Sequence, residues 1–261
     1  MEEQLTSMLP PLAEFERLDT VNEQIRLIQN KNGLTFGTDA FLLAAYVRSM
    51  SHAHAVELGG GTGIVSLLLL AKNKVERVSV AEVQPNFAQL IERNADLNGF
   101  ADRLNTICCD VRTLTPKQIG SEVPLVFANP PYMKCSTGKR NEADEKYIAR
   151  HEVCGTITDF CDCAGRLLKH GGKFVCVWRP DRLTDLLRAM EHAKLEPKRM
   201  IFVHADENAE PCSVLIEAIK GGAPSMRIAP PLFLYTPKDH STNRALTVRA
   251  QKIYDTCSFD D

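Results

Sequence analysis

Asn129-Pro130-Pro131-Tyr132 follows directly on the apolar run Val123-Pro124-Leu125-Val126-Phe127-Ala128, and its residue types suit the capture of a planar amino group. The apolar run reads as a strand and the tetrapeptide as the rigid turn at its end. Two consecutive prolines lack backbone donors and fix two φ angles, so the carbonyls of Asn129 and Pro130 are directed by the turn instead of pairing in a sheet. The Asn129 side-chain oxygen and the Pro130 carbonyl can then accept the two hydrogens of an exocyclic amine or a carboxamide, while Tyr132 covers the flat face. The same four residues also serve as ordinary punctuation after a strand.

A second motif lies upstream. Val56-Glu57-Leu58-Gly59-Gly60-Gly61-Thr62-Gly63-Ile64-Val65-Ser66 reads as a strand, a glycine turn and a helix carrying Leu67, Leu68 and Leu70. Glycine is needed where φ is positive or where a Cβ would strike a ligand. The spacing Gly59-x-Gly61-x-Gly63 differs from the G-x-G-x-x-G that receives a pyrophosphate and suits a cofactor without phosphates. Close packing is the competing reading of such a turn.

The elements that follow place more polar groups at strand ends. A strand Arg77–Ala81 ends in Glu82, about 20 residues beyond the turn, where a carboxylate can accept both ribose hydroxyls. A helix runs from Pro85, suited to a first helical position, to Asn98-Gly99, with Phe87, Leu90, Ile91 and Leu97 on its apolar face. A third strand, Leu104–Cys108, leads to Asp110, within reach of an adenine amine, and the fourth delivers Asn129. Glu57, Glu82, Asp110 and Asn129 therefore lie at or near the carboxyl ends of consecutive parallel strands, where open α/β sheets bind ligands.

In this order the motifs resemble the class I S-adenosylmethionine-dependent methyltransferases, and among them the amino-methyltransferases with an N-P-P-Y motif. Phe36-Gly37-Thr38-Asp39-Ala40-Phe41-Leu42-Leu43-Ala44 is similar to the N-terminal motif of bacterial tRNA(Val) N6-adenine methyltransferases, which modify the adenine after the anticodon. Residues 148–152, 178–183, 195–199 and 230–232 are similar to that family too, so the resemblance runs from about residue 15 to 236. Gly60 and Trp178 depart from the usual pattern. The resemblance implies the fold, S-adenosylmethionine as cofactor, and N6-methylation of an adenine in tRNA. On that basis Asn129, Pro130 and Tyr132 are the expected catalytic residues. Phe36, Thr38, Asp39, Glu57, Gly59, Gly61, Gly63, Glu82, Asp110 and Asn129 are expected at the cofactor.

Glutamine N5-methylation of a protein release factor would use the same N-P-P-Y pocket, but about fifty residues precede Val56, short for the helical domain usual in such enzymes. A non-catalytic RNA-binding module is the alternative from another class, and the intact set of Gly59, Gly61, Gly63, Glu82, Asp110 and Asn129 argues against it.

The formal net charge of −2 does not advertise nucleic-acid binding, yet a local basic rim suffices for phosphate contact. Lys134, Lys139, Arg140, Lys146 and Arg150 follow Tyr132 closely and are the expected RNA contacts; Arg227, Lys238, His240, Arg244, Arg249 and Lys252 form a second group. A mixed solvated surface fits both groups equally well. The nine cysteines show no repeated C-x-x-C pair. With Cys108-Cys109 read as strand and Cys161-x-Cys163 as helix, buried reduced thiols are expected, with no metal site. The reduced cysteines point to the cytoplasm, and the N-terminus lacks a basic flank and an apolar core of signal length, so neither export nor membrane insertion is expected; a monomer is the expected state.

The expected fold is α/β: a Rossmann-like class I methyltransferase with a seven-stranded, mostly parallel sheet, an antiparallel last strand and helices on both faces. With 44% hydrophobic residues the chain can bury one substantial core. Thr156–Asp159 reads as a capping box opening a helix that Gly171-Gly172 closes, before a strand Lys173–Trp178. A helix from Asp181 follows, then strands at Met200–Val203 and Ser213–Glu217 paired antiparallel. We expect residues 1–50 to form a cap segment on the core, 51–220 the cofactor-binding domain, and 221–261 a tail that packs on the domain and ends disordered.

Overall fold

Leu125 and Phe127 belong to one buried cluster and Val126 and Ala128 to another, because successive side chains of a strand point to opposite faces. That alternation organises the whole interior into two layers around one sheet. The computed structural model describes residues 11–31, 37–131, 155–236 and 244–259. In chain order the elements are β1 (Glu16–Thr20), β2 (Arg26–Asn30), α1 (Thr38–Tyr46), β3 (Met50–Leu58), α2 (Ile64–Ala71), β4 (Val75–Glu82) and α3 (Pro85–Leu97). There follow β5 (Leu104–Cys108), α4 (Pro116–Ile119), β6 (Val123–Ala128), α5 (Ile157–Leu167), β7 (Leu168–Trp178), a 3-10 turn at Pro180–Arg182 and α6 (Leu183–His192). The last elements are β8 (Leu195–His204), β9 (Pro211–Lys220), β10 (Arg227–Ile228), β11 (Leu232–Phe233) and α7 (Val248–Thr256).

The main sheet has the order β5-β4-β3-β6-β7-β9-β8-β10, with β11 also on β8. Pairing is parallel except for β9, which runs antiparallel to β7 and β8, as expected for the last long strand. The seven expected strands are β3 to β9; the two-residue strands β10 and β11 add to β8 and make nine. Side chains of α1, α2, α3 and α7 fill one face and those of α5 and α6 the other. Burying one large apolar side chain contributes about 1.5–3 kcal/mol. The unbroken burial from Ile64 to Leu70 therefore anchors α2 firmly behind the glycine turn.

One expectation about an element end is corrected. Helix α5 stops at Leu167, not at Gly171-Gly172, and Leu168 is already extended. Its apolar face ends there, and the chain joins β7 through a register shift against β6 in which Gly171 takes φ 76°. The glycines form an irregularity inside the strand instead of closing the helix. Beyond Lys220, α7 packs through Ala250 and Ile253, and the Tyr254 ring stacks on Phe41 of α1 at 4.6 Å. No strong periodicity marks α7, because only a narrow strip of it is covered.

The β1–β2 hairpin attaches through asparagine side chains that imitate a neighbouring strand. Asn98, which caps the C-terminus of α3, donates to the Arg26 carbonyl and accepts the Arg26 amide, and Asn94 of α3 does the same for Ile28. At the opposite end of α1, the buried Lys74 ammonium donates to the carbonyls of Ala44, Ala45 and Val47, satisfying orphan acceptors of a helix end. The seven cysteines among the described residues are all free: Cys161, Cys163, Cys176 and Cys257 are buried, whereas Cys108, at the end of β5, is exposed. No helix among the described residues is long and apolar enough to cross a membrane.

Candidate active site

The glycine turn requires glycine at each alternate position. Gly59, Gly61 and Gly63 have φ of 74°, 56° and 81°, in the left-handed region that a Cβ penalises by about 1–2 kcal/mol. Gly60 is constrained differently. A Cβ there would overlap Val80 Cγ1 and approach Ile91 Cδ1 to 2.9 Å, so this departure from the usual pattern reflects close packing on β4 and α3. The Gly59 amide continues the sheet by donating to the Ala81 carbonyl at 2.8 Å, and the Phe160 ring of α5 lies against Gly59.

Glu57, the penultimate residue of β3, lies beneath this turn. Its buried carboxyl accepts the backbone N–H and the hydroxyl of Ser66, an amide in the first turn of α2 that has no partner within its helix. Burial pushes the carboxyl up to about 8, against the lowering effect of the two Ser66 bonds. Glu57 thus ties the strand to the helix across the turn. Glu82, last in β4, is also buried and accepts the Gly61 amide at 2.9 Å and the Gln84 amide at 2.9 Å. Burial raises its pKa as well, and the backbone bonds oppose that rise.

Asp110 stands two residues past β5. Arg112 clasps its carboxylate through Nε at 2.9 Å and 3.0 Å and holds its pKa below the usual range. Sequence reasoning passed over this arginine.

Leu58 pairs with Ala128 in the β3–β6 register, so Gly59 and Asn129 leave adjacent parallel strands side by side. Asn129 Oδ1 is buried and has no hydrogen-bond partner among the described residues. An unpaired buried acceptor costs about 1–3 kcal/mol, and a native chain retains one where a ligand or other group can satisfy it. Pro130 is buried beside it.

Thr38 and Asp39 form the first turn of α1. The Ser213 hydroxyl at the start of β9 donates to Asp39 Oδ1 at 2.6 Å, and Tyr254 of α7 lies close to Thr38 while its ring stacks on Phe41. Val214, next to Ser213, pairs with Trp178 at the carboxyl end of β7. Asp39 is therefore tied to the same sheet edge as Gly59, Glu82 and Asn129. Asn94 adds a further link by donating to the Thr62 carbonyl within the glycine turn. Asn94, Ser213 and Tyr254 are distant in sequence from the motifs they support, and no local signal marks them; Ser66 lies inside the glycine motif, where its bond to Glu57 went unread.

Phe36, Tyr132, Lys134, Lys139, Arg140, Lys146 and Arg150 lie outside the described residues, as do Lys238 and His240. In the second basic group Arg227 is exposed on β10. Arg244 pairs with Asp206 at 3.0 Å, and Arg249 donates to the carbonyls of Pro230 and Pro231, so these two hold the C-terminal segment together. Among the described residues no group of three or more His, Cys, Asp or Glu is placed to hold a metal ion.

No family model matches the chain. It is 28% identical over 187 residues to the tRNA1(Val) (adenine(37)-N6)-methyltransferase of Porphyromonas gingivalis, covering 69% of this chain and 72% of that one. The protein of the same name from Bacteroides fragilis is 26% identical over 198 residues, covering 74% and 81%. That from a Flavobacteriaceae bacterium is 25% identical over 189 residues, covering 72% and 78%. Among solved structures, a predicted O-methyltransferase from Agrobacterium tumefaciens superposes with a TM-score of 0.66 at 20% identity, covering 85% of this chain and 97% of that one. A methyltransferase from Pyrococcus furiosus gives 0.56 at 16% identity, covering 77% and 92%. The two structures establish the Rossmann-like methyltransferase fold, and the three relatives bear out the family resemblance drawn from the motifs.

Proposed function

We propose that this chain is an S-adenosylmethionine-dependent methyltransferase acting on the N6 amine of an adenine in RNA. The observation that carries this reading is Asn129 Oδ1, a buried acceptor unpaired among the described residues, on the strand end adjacent to the glycine turn. An exocyclic amine is a donor that such an acceptor fits. The relatives named as tRNA1(Val) (adenine(37)-N6)-methyltransferases support the adenine after the anticodon of a valine tRNA as the target.

The residues present fit the cofactor. Left-handed Gly59, Gly61 and Gly63 offer bare backbone with no Cβ in the way of a ligand, and Glu82 offers a carboxylate at the end of β4. In this reading Glu82 accepts from the ribose hydroxyls and Asp110 from the adenine amine. Thr38, Asp39 and the 59–63 backbone hold the methionine end, and Phe36 walls the pocket. Glu57 contributes from below, through its hold on Ser66.

When bound, S-adenosylmethionine supplies a methyl group on a sulfonium that leaves readily. The chain has to align the target nitrogen and exclude water. Asn129 Oδ1 and the Pro130 carbonyl accept the two amine hydrogens, which favours a pyramidal nitrogen and stabilises the positive charge growing on it. No strong base is required, since the nitrogen is cationic when its proton departs. Tyr132 stacks on the base once it has turned out of its neighbours, and Lys134, Lys139, Arg140, Lys146 and Arg150 meet phosphates; these roles rest on the sequence alone. Residues 51–220 serve as the cofactor-binding domain, with 1–50 as cap and 221–261 as a C-terminal segment, in a monomer acting in the cytoplasm.

Mass spectrometry of nucleosides from tRNA incubated with the protein and cofactor tests the reading. N6-methyladenosine is the expected product, and its absence with active cofactor-bound protein would overturn it.

A further inference from the structure

Two residues that no motif contains converge on the first turn of α1. Ser213 Oγ donates to Asp39 Oδ1 at 2.6 Å, from a position 174 residues away. Ser213 is 5% exposed, so water competes little for that bond. The Tyr254 hydroxyl lies close to the Thr38 side chain, and its ring stacks on Phe41 with an interplanar angle of 14°. Among the described residues Asp39 Oδ2 has no partner, so the carboxylate keeps one oxygen for a ligand while the other is held. The N-cap of α1, Gly37, supplies no side chain to fix this turn, and the fixing comes from β9 and α7 instead.

We propose that Ser213 and Tyr254 are positioning residues for the amino-acid end of the cofactor, acting through Asp39 and Thr38. The proposal rests on the cofactor reading given above. Its chemistry is specific: the amino-acid end carries an ammonium that a carboxylate attracts, and a carboxylate free to rotate must be ordered at the moment of binding. A bond from Ser213 removes one rotamer choice beforehand. The Tyr254 hydroxyl and ring brace the turn on the other side, which makes α7 a working part of the pocket.

The test is titration calorimetry of Ser213→Ala and Tyr254→Phe with two ligands, S-adenosylhomocysteine and 5′-methylthioadenosine; the second lacks the amino-acid end. The phenylalanine keeps the stack on Phe41 and removes only the hydroxyl. Ser213→Ala is expected to bind S-adenosylhomocysteine on the order of tenfold more weakly, the loss typical of a hydrogen bond to a charged group, Tyr254→Phe about fivefold more weakly, since its neighbour Thr38 is neutral, and both to bind 5′-methylthioadenosine within about twofold of the parent. Equal weakening of both ligands would mean a general structural defect and overturn the proposal, as would unchanged binding of both. If the parent protein binds neither ligand, the cofactor reading falls together with this one; if it binds both and the variants do likewise, only this inference falls.

Discussion

The Glu82 carboxylate accepts the Gly61 amide at 2.9 Å, joining the end of β4 to the middle of the glycine turn. One acidic side chain thus shapes the turn and, in the proposed reading, faces the cofactor ribose. A second oxygen on the Gln84 amide keeps the carboxylate from swinging away.

Replacing Glu82 with alanine removes both functions. Glu82→Ala should weaken S-adenosylhomocysteine binding by tenfold or more, read by calorimetry. Glu82→Gln, which can still accept the Gly61 amide, should lose less.

Asn129→Ala takes away the amine acceptor and leaves the turn intact. Transfer to RNA should fall by about 10²-fold or more, the scale seen when one preorganised polar group is removed from a transition state. Cofactor affinity should stay within about twofold. Near-normal turnover would remove Asn129 from the mechanism.

Glu57 makes stability depend on pH. Burial keeps it neutral in the folded chain up to about pH 8, whereas in the unfolded chain it ionises near its ordinary value of 4.5. Between those values the folded state binds more protons, so its contribution is fully present below 4.5 and is lost as pH rises through about 8. Urea unfolding at pH 5 and pH 9 should show a smaller fall in stability for Glu57→Gln than for the parent. Equal falls in the two proteins would place the ionisation elsewhere.

Gly60→Ala probes the packing beneath the turn. Its Cβ would overlap Val80 and crowd Ile91, and overpacking of this kind costs about 1–3 kcal/mol. Thermal unfolding should register the loss. Adding Val80→Ala should return part of it, a coupling that a double-mutant cycle measures.

Much of this could be read from local physics. Positive φ at Gly59, Gly61 and Gly63 follows from residue type, as do the start of α3 at Pro85 and the Thr156–Asp159 capping box on α5. The strand Val123–Ala128 and its polar ending were legible because an apolar run followed by two prolines admits few conformations. The end of α5 was misread because glycine serves helix termini and strand irregularities alike, and only pairing with β6 distinguishes them.

By itself, the sequence determined strands β3 to β9, helices α2, α3, α5 and α6, the glycine turn and the identity of the groups at the strand ends, since these depend on backbone sterics and nearest neighbours. Tertiary structure alone decided that Asn129 Oδ1 is buried without a described partner, that Asn94 and Asn98 hold the β1–β2 hairpin, and that Ser213 and Tyr254 reach α1. Such contacts join residues tens to hundreds of positions apart. Their existence depends on which strands become neighbours, a result of how the whole core packs, and a short stretch of chain carries no record of it.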